Sequence, residues 1–345
     1  MGRATRSRPN GSVASSTDSP MFVRNRTAFE AVLARGNLNE QLGVASINIE
    51  IAYRVGPSGL VPLAGPLERA PADPPDITRH PVWIGVSVTA TGTVRGPSRS
   101  PFVRKVSLSV GSARRELLVF GDRTWQKRLS GDLESSDPAP FEGIPLVFAR
   151  AFGGSYELPP GLFPTTNLPH PGLLVVYPRN PDGIGFYPDK DRASGRPLPN
   201  IELANQVSRR WDDMPEPGGF APCPALTALR VPSNADEIAS DPLAAGARAL
   251  HHAPGRLIFP SVEAGTILRL EGVGAAPRPL ELSAPRSPVR VEARPVVGRA
   301  AREIAGEIRS IHIDADGERL VVVHAHTLVY PRSRAPGWFH ITASL

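Results

Sequence analysis

The sequence predicts a mainly β protein: antiparallel sheets in a sandwich- or barrel-like arrangement, a long Gly/Pro-rich loop block and few short helices. Three observations carry this. Short runs of alternating apolar and polar residues recur on both sides of the middle of the chain. The 39 prolines and 32 glycines among 345 residues suit a turn-rich β protein, not a helical one. Between residues 117 and 220 the periodicity stops, and aromatics, glycines and prolines take its place.

Residues 1–20 are polar and basic without an apolar stretch, so they read as a disordered tail and not as a secretory signal. Residues 27–35 (TAFEAVLAR) fit a short helix, with Thr27 as N-cap and Glu30 at capping-box spacing, or else a strand entrance. Ile47, Ile49 and Ile51 alternate with polar residues, which predicts a half-buried strand. Residues 82–94 alternate through Ile84, Val86 and Val88. Residues 102–110 and 116–120, joined by GSAR, read as a hairpin. Short strands are expected near 145–149 and 173–177, and a short helix within 234–251 that Pro242 interrupts. Alternation returns at 267–271, 289–292, 308–313, 319–324 and 338–342, with a turn at Asp314-Ala-Asp-Gly317. The divisions are a tail (1–20), an N-terminal β region (21–120), a loop-rich block (121–225) and a C-terminal β region (226–345). Alternatively, one domain spans 21–345.

The loop block holds LLVFGDRTWQKRLSG, PFEGIPLVFARAFGG, NPDGIGFYPDKD, LPNIELANQ and PEPGGFAPCP. Gly153-Gly154, Asp182-Gly183 and Gly218-Gly219 permit positive φ or close backbone approach. Pro145, Pro181, Pro199 and Pro217 fix φ and withhold a donor. So many constrained residues specify loop shapes, which points to a shaped binding surface. Trp125, Phe152, Phe186, Tyr187 and Phe220 are the candidate partner-binding anchors. Asp122, Arg123, Asn180, Asn200 and Glu202 are candidates for holding the loops by hydrogen bonds to backbone.

The net charge is +6, and only Lys105, Lys127 and Lys190 of the 39 basic residues are lysines. Without a basic run or interleaved stacking aromatics, this reads as dispersed arginine and not as a nucleic-acid surface. No apolar run approaches a membrane span, so a soluble cytoplasmic protein is expected. Cys223 is the single cysteine, which excludes an intramolecular disulfide and a multi-cysteine metal site. Set between Pro222 and Pro224, it reads as packed loop. The sequence contains no phosphate-binding loop, dinucleotide fingerprint or nucleophile elbow. Asn180, Asp182, Asp189 and Asp191 offer oxygen atoms but not the calcium-loop spacing, and read as turn formers. His324-Ala-His326, with His312 across the expected hairpin, is the weak candidate for a metal site, and no cofactor is expected.

The block resembles a domain-of-unknown-function family encoded beside VgrG spike and effector genes of bacterial type VI secretion systems. The resemblance rests on Phe120-Gly121-Asp122-Arg123 with Trp125, then Pro145-Leu146 leading to Ala151-Phe152-Gly153-Gly154. It continues through Asn180-Pro181, Gly183, Gly185-Phe186, Leu198-Pro199-Asn200-Ile201-Glu202, Pro217 and Gly219-Phe220, in the family's order. A weaker similarity runs from Asn25–Phe29 to the C-terminal strands. The chain departs from the family at 228–230, where a W-x-x-R element is expected, and in the alanine-rich stretch that replaces G-T-Y-D-x-x-W. His324-Ala-His326 stands where the family often has an aromatic–arginine pair. The resemblance implies a non-enzymatic cytoplasmic adaptor or chaperone that binds a secreted effector, a VgrG-type spike protein or both, and assists loading. The alternatives are a metal-dependent enzyme using the His-x-His strand, and a structural delivery domain.

Overall fold

The computed structural model describes residues 21–57, 59–64, 81–97, 99–100, 102–162, 169–223, 251–274, 278–295 and 300–344. The expected tail over 1–20, nearly all of the alanine-rich segment and the 228–230 departure lie outside these residues. The described chain is mainly β, in several antiparallel and mixed sheets, with no closed barrel among them. The one α-helix among the described residues is the four-residue Lys190–Ala193.

A seven-stranded sheet draws on both ends of the chain. Its strand order is Ile258–Phe259, Val86–Thr91, Gly306–Asp314, Arg319–Pro331, Leu42–Gly56 and Ala31–Asn37, with Gly59–Pro62 pairing off Leu42–Gly56. A five-stranded sheet runs Ile201–Leu203, Ala113–Phe120, Val103–Val110, Ile267–Glu271 and Leu280–Ser283. A four-stranded sheet joins Phe22–Asn25, Trp338–Ala343, Val289–Arg294 and Arg302–Ile304. Side chains from all three meet in one core, including Ile49, Val88, Leu117, Leu268, Val291 and Phe339.

The longest pairing joins Leu42–Gly56 to Arg319–Pro331, with Ile49 opposite His324 and Tyr53 opposite Leu320. Ile47, Ile49 and Ile51 turn into the core as their alternation predicts. The strand is not half-buried, however, because Ser46 and Asn48 on its other face are also enclosed. Those polar groups are satisfied locally: the Ser46 hydroxyl donates to Asn48 Oδ1 at 3.1 Å and lies 3.1 Å from Thr327 Oγ1.

Two expectations are refined for identifiable reasons. Of the two readings of 27–35, the strand entrance holds and the helix does not: the segment leads into the strand Ala31–Asn37. Asn25 Oδ1 accepts from the backbone N–H and the hydroxyl of Thr27, which makes a turn of the supposed cap. Pairing of Ala31 with Ile49 then outweighs helix propensity. The single strand expected over 82–94 is cut at both ends by glycine. Gly85 (φ +78) precedes Val86–Thr91, and Gly92 (φ +150) separates it from Thr93–Arg95, which pairs with Gly143–Pro145. The expected hairpin does form, as Val103–Val110 against Ala113–Phe120. At the last hairpin the Gly317 N–H donates to Asp314 Oδ1 at 3.0 Å, closing the turn.

Candidate functional site

The loop block hangs from the edge of the five-stranded sheet, where Ile201–Leu203 pairs with Ala113–Phe120. At that junction four of the loop-holding candidates meet. Asn200 Nδ2 donates to the Phe120 carbonyl at 3.2 Å and to Asp122 Oδ1 at 2.9 Å, while Arg150 donates to Asn200 Oδ1 at 3.3 Å. The Arg123 guanidinium lies 3.7 Å from the centre of the Phe120 ring and donates to the Pro199 carbonyl at 2.7 Å. Its Nη2 is 3.2 Å from Glu202 Oε2, an ion pair without hydrogen-bond alignment. Glu202 Oε1 accepts from the Ser208 N–H at 3.1 Å. Arg123 is 5% exposed and Glu202 2% exposed, so the pair has left water almost entirely. Burial raises the Glu202 carboxyl above its usual range and lowers the Arg123 guanidinium, and the opposite charge works against each shift.

Asn180 forms a second clamp. Its Nδ2 donates to the carbonyls of Phe148 at 2.8 Å and Phe152 at 3.0 Å, and its own carbonyl accepts from Gly154 N at 2.8 Å. The backbone crowds this side chain closely. A Cβ on Gly153 would stand 2.1 Å from Asn180 O, and one on Gly183 would stand 2.4 Å from Asn180 Nδ2. These glycines are therefore packing requirements of the clamp. A third clamp was not legible in the sequence. Arg256, just before Ile258–Phe259, pairs with Glu216 at 2.7 Å and donates to the carbonyls of Pro217 and Gly219, both at 2.9 Å. Arg256 lies about forty residues from the loop it holds, and no local pattern marks it.

The aromatic anchors need correction. Trp125, Phe152 and Phe220 are 2%, 3% and 0% exposed, so they are interior packing residues and cannot meet a partner directly. Trp125 centres a small cluster with Ala193 and Leu198, against which Tyr187 and Trp211 pack. Phe152 meets Tyr177 edge-on at 5.1 Å, and Tyr177 in turn contacts Phe186 at 5.5 Å. Phe220 belongs to the main core. Phe186 and Tyr187 are partly exposed, and the Tyr187 hydroxyl donates to the Pro197 carbonyl at 2.7 Å. Among the described residues, the exposed large apolar side chains of the block are instead Leu129, Val147, Leu173, Leu174 and Met214.

The three histidines do not converge. Ile308 lies opposite His324, but a register shift at Arg309 puts Ser310 opposite Val323 and His312 opposite Val321. The extra residue turns His312 to the face away from His324 and His326. There its ring nitrogens meet the hydroxyls of Thr89 at 3.0 Å and Thr91 at 3.2 Å. His324 Nε2 is 3.3 Å from the Tyr53 hydroxyl. His326 Nδ1 donates to the Ile304 carbonyl at 2.8 Å, which leaves Nε2 to accept from the Ser287 hydroxyl at 3.3 Å. Burial lowers all three imidazoles, and His324 is pushed down to about 4. Among the described residues no group of three or more His, Cys, Asp or Glu side chains is placed to hold a metal. Asn180 and Asp189 serve the backbone, the latter capping Lys190–Ala193 through the Arg192 N–H at 2.8 Å. Cys223 is buried.

His324 and His326 line a cleft of about 720 Å3 with Trp83, Pro260, Ser287 and Gly306. Charged side chains, among them Glu263, Arg286 and Glu307, also line it. No helix among the described residues is long and apolar enough to cross a membrane. No curated protein and no solved structure matches the chain. One family model matches residues 66–325, a span that holds the whole loop block but not Asn25–Phe29 or the last strand. That model describes an uncharacterized protein conserved in bacteria (DUF2169), and the chain belongs to this family.

Proposed function

We propose that this protein is a non-enzymatic cytoplasmic adaptor or chaperone. In this reading it binds a type VI secretion effector and assists its loading onto a VgrG-type spike. The observation that carries the proposal is the fixing of the loop block by buried contacts of Arg123–Glu202, Asn180 and Arg256–Glu216. Loops held this way lose little entropy when a partner docks, which favours binding by a preformed surface. Leu173, Leu174 and Met214 supply exposed apolar contacts on that block. The order-preserving resemblance of the block points to the secretion partners.

The test is co-purification of the chain at native expression level, with mass spectrometry of what accompanies it. Recovery of a VgrG-type spike protein or a neighbouring toxin is expected. Recovery of the chain alone from cells that express both would overturn the proposal.

A further inference from the structure

The four-stranded sheet builds one exposed face from both ends of the chain. Phe22–Asn25 stands at one end of its strand order, followed by Trp338–Ala343, Val289–Arg294 and Arg302–Ile304. Side chains alternate between the faces along each strand. Val23, Phe339, Ile341 and Val291 turn inward to the core. The pairing sets the residues between them in rows on the other face. Phe22 lies opposite Trp338, and Trp338 opposite Arg294. Arg24 lies opposite His340, and His340 opposite Glu292. One step further is Arg26, whose backbone N–H donates to the Ile341 carbonyl at 3.0 Å.

The first row is aromatic and open. Phe22 and Trp338 stack with ring centres 4.7 Å apart, yet they are 48% and 43% exposed. Adjacent aromatic rings of this kind are what the centre of an interface uses. The next rows are cationic. Arg24 and Arg26 are exposed, and neither has an ion-pair partner among the described residues. Arg294 and Arg290 differ, since they pair with Glu292 at 3.1 Å and Glu303 at 2.8 Å. The uncompensated charge therefore lies along the edge strand, in steps of roughly 7 Å from the rings. His340 reports it: burial first, then Arg294, Arg24 and Arg26, hold its imidazole below the usual value, with Glu292 acting the other way.

Charge decides between the possible occupants. Residues 1–20 lead into Phe22 and contain Arg3, Arg6 and Arg8 against Asp18 alone, the same sign as the face. A nucleic-acid strand long enough to use more than two of the cations would meet Glu292 and Glu303 with its phosphates. An acidic polypeptide avoids both conflicts. It can set one apolar side chain on the rings and place carboxylates over Arg24 and Arg26 only.

We propose that this face docks an acidic segment of a partner protein, with an apolar or aromatic residue against Phe22 and Trp338 and carboxylates on Arg24 and Arg26. Guanidinium–carboxylate pairs set the direction of the guest, and burial of the rings supplies the affinity. No strand of the loop block other than Ile201–Leu203 joins a large sheet, and none joins this one. The inference goes beyond the adaptor reading and does not depend on it.

The experiment titrates the full chain into three labelled probes, read by fluorescence anisotropy. The first is a peptide with a tryptophan followed by alternating serine and glutamate. The second has lysine at every glutamate position, and the third is a single-stranded oligothymidine. The acidic peptide is expected to bind, and to weaken about fivefold or more between roughly 50 and 300 mM salt. The double variant Arg24→Glu, Arg26→Glu is expected to cost about tenfold or more, and Trp338→Ala the same. These side chains are exposed, so melting temperatures should match that of the parent chain. Should a variant fail to fold, the contrast between the two peptides on the parent chain still decides. No binding of the acidic peptide, equal binding of the lysine peptide, or an affinity unchanged in folded variants would overturn the proposal. Tighter binding of the oligothymidine, lost in the same variants, would also overturn it by assigning the face to nucleic acid. None of these outcomes bears on co-purification, so failure here leaves the adaptor reading to its own test.

Discussion

Arg123 and Glu202 sit 3.2 Å apart in a nearly dry site, with the guanidinium against the Phe120 ring and the carboxylate on the Ser208 N–H. The pair links the start of the loop block to Ile201–Leu203, the edge strand of the five-stranded sheet. Its importance lies in what remains when one partner is lost. A buried ion pair adds little net stability, yet removing one member strands the other charge away from water, at about 3–5 kcal/mol. Glu202→Ala is therefore expected to lower the denaturation midpoint strongly. Affinity for a co-purified partner, measured below that midpoint, should change little. Equal melting temperatures with lost binding would show that Glu202 contacts the partner instead.

Phe220 is fully buried, and its carbonyl accepts from Ala90 N at 2.7 Å, so it ties the block to the seven-stranded sheet. Phe220→Ala is expected to cost about 3–5 kcal/mol through lost burial and a residual cavity. Chemical denaturation measures this. A loss below about 1 kcal/mol would mean that Phe220 is not in the core.

Leu174 is 65% exposed on Leu173–Val176. Leu174→Glu is expected to leave stability within about 0.5 kcal/mol, as surface changes do. If the outer face of the block receives the partner, the same change weakens partner recovery. Undiminished binding would move the contact to another face.

His324 is held neutral in the fold, with its pKa pushed from 6.5 to about 4 by burial beside Tyr53 and His326. The unfolded chain takes up this proton first as pH falls, so stability is full above about 6.5 and declines toward pH 4. At about 1.4 kcal/mol per unit, His324 alone removes roughly 3 kcal/mol over that interval. Melting temperatures from pH 7.5 to 4 should fall accordingly, and His324→Gln should flatten part of the slope. A slope unchanged by the substitution would assign it to other groups.

Much of the fold was legible because strand alternation is a local property. Ile47–Ile51, the 103–120 hairpin and the Asp314–Gly317 turn follow from side-chain period and turn chemistry alone. The same is true of the loop block's special residues, since glycine and asparagine in such density announce constrained backbone. Their partners were not legible. Asn180 clamps carbonyls about thirty residues upstream, and Arg256 clamps a loop about forty residues upstream.

What the sequence determined by itself is the β architecture, the position of the loop block and the kinds of residue that shape it. Tertiary structure decided which aromatics are buried, because Trp125, Phe152 and Phe220 look equally available until the sheets close over them. It also decided that His312 faces away from His324 and His326. One inserted residue at Arg309 reverses the facing of everything beyond it, and no local pattern records which strand position will carry the extra residue.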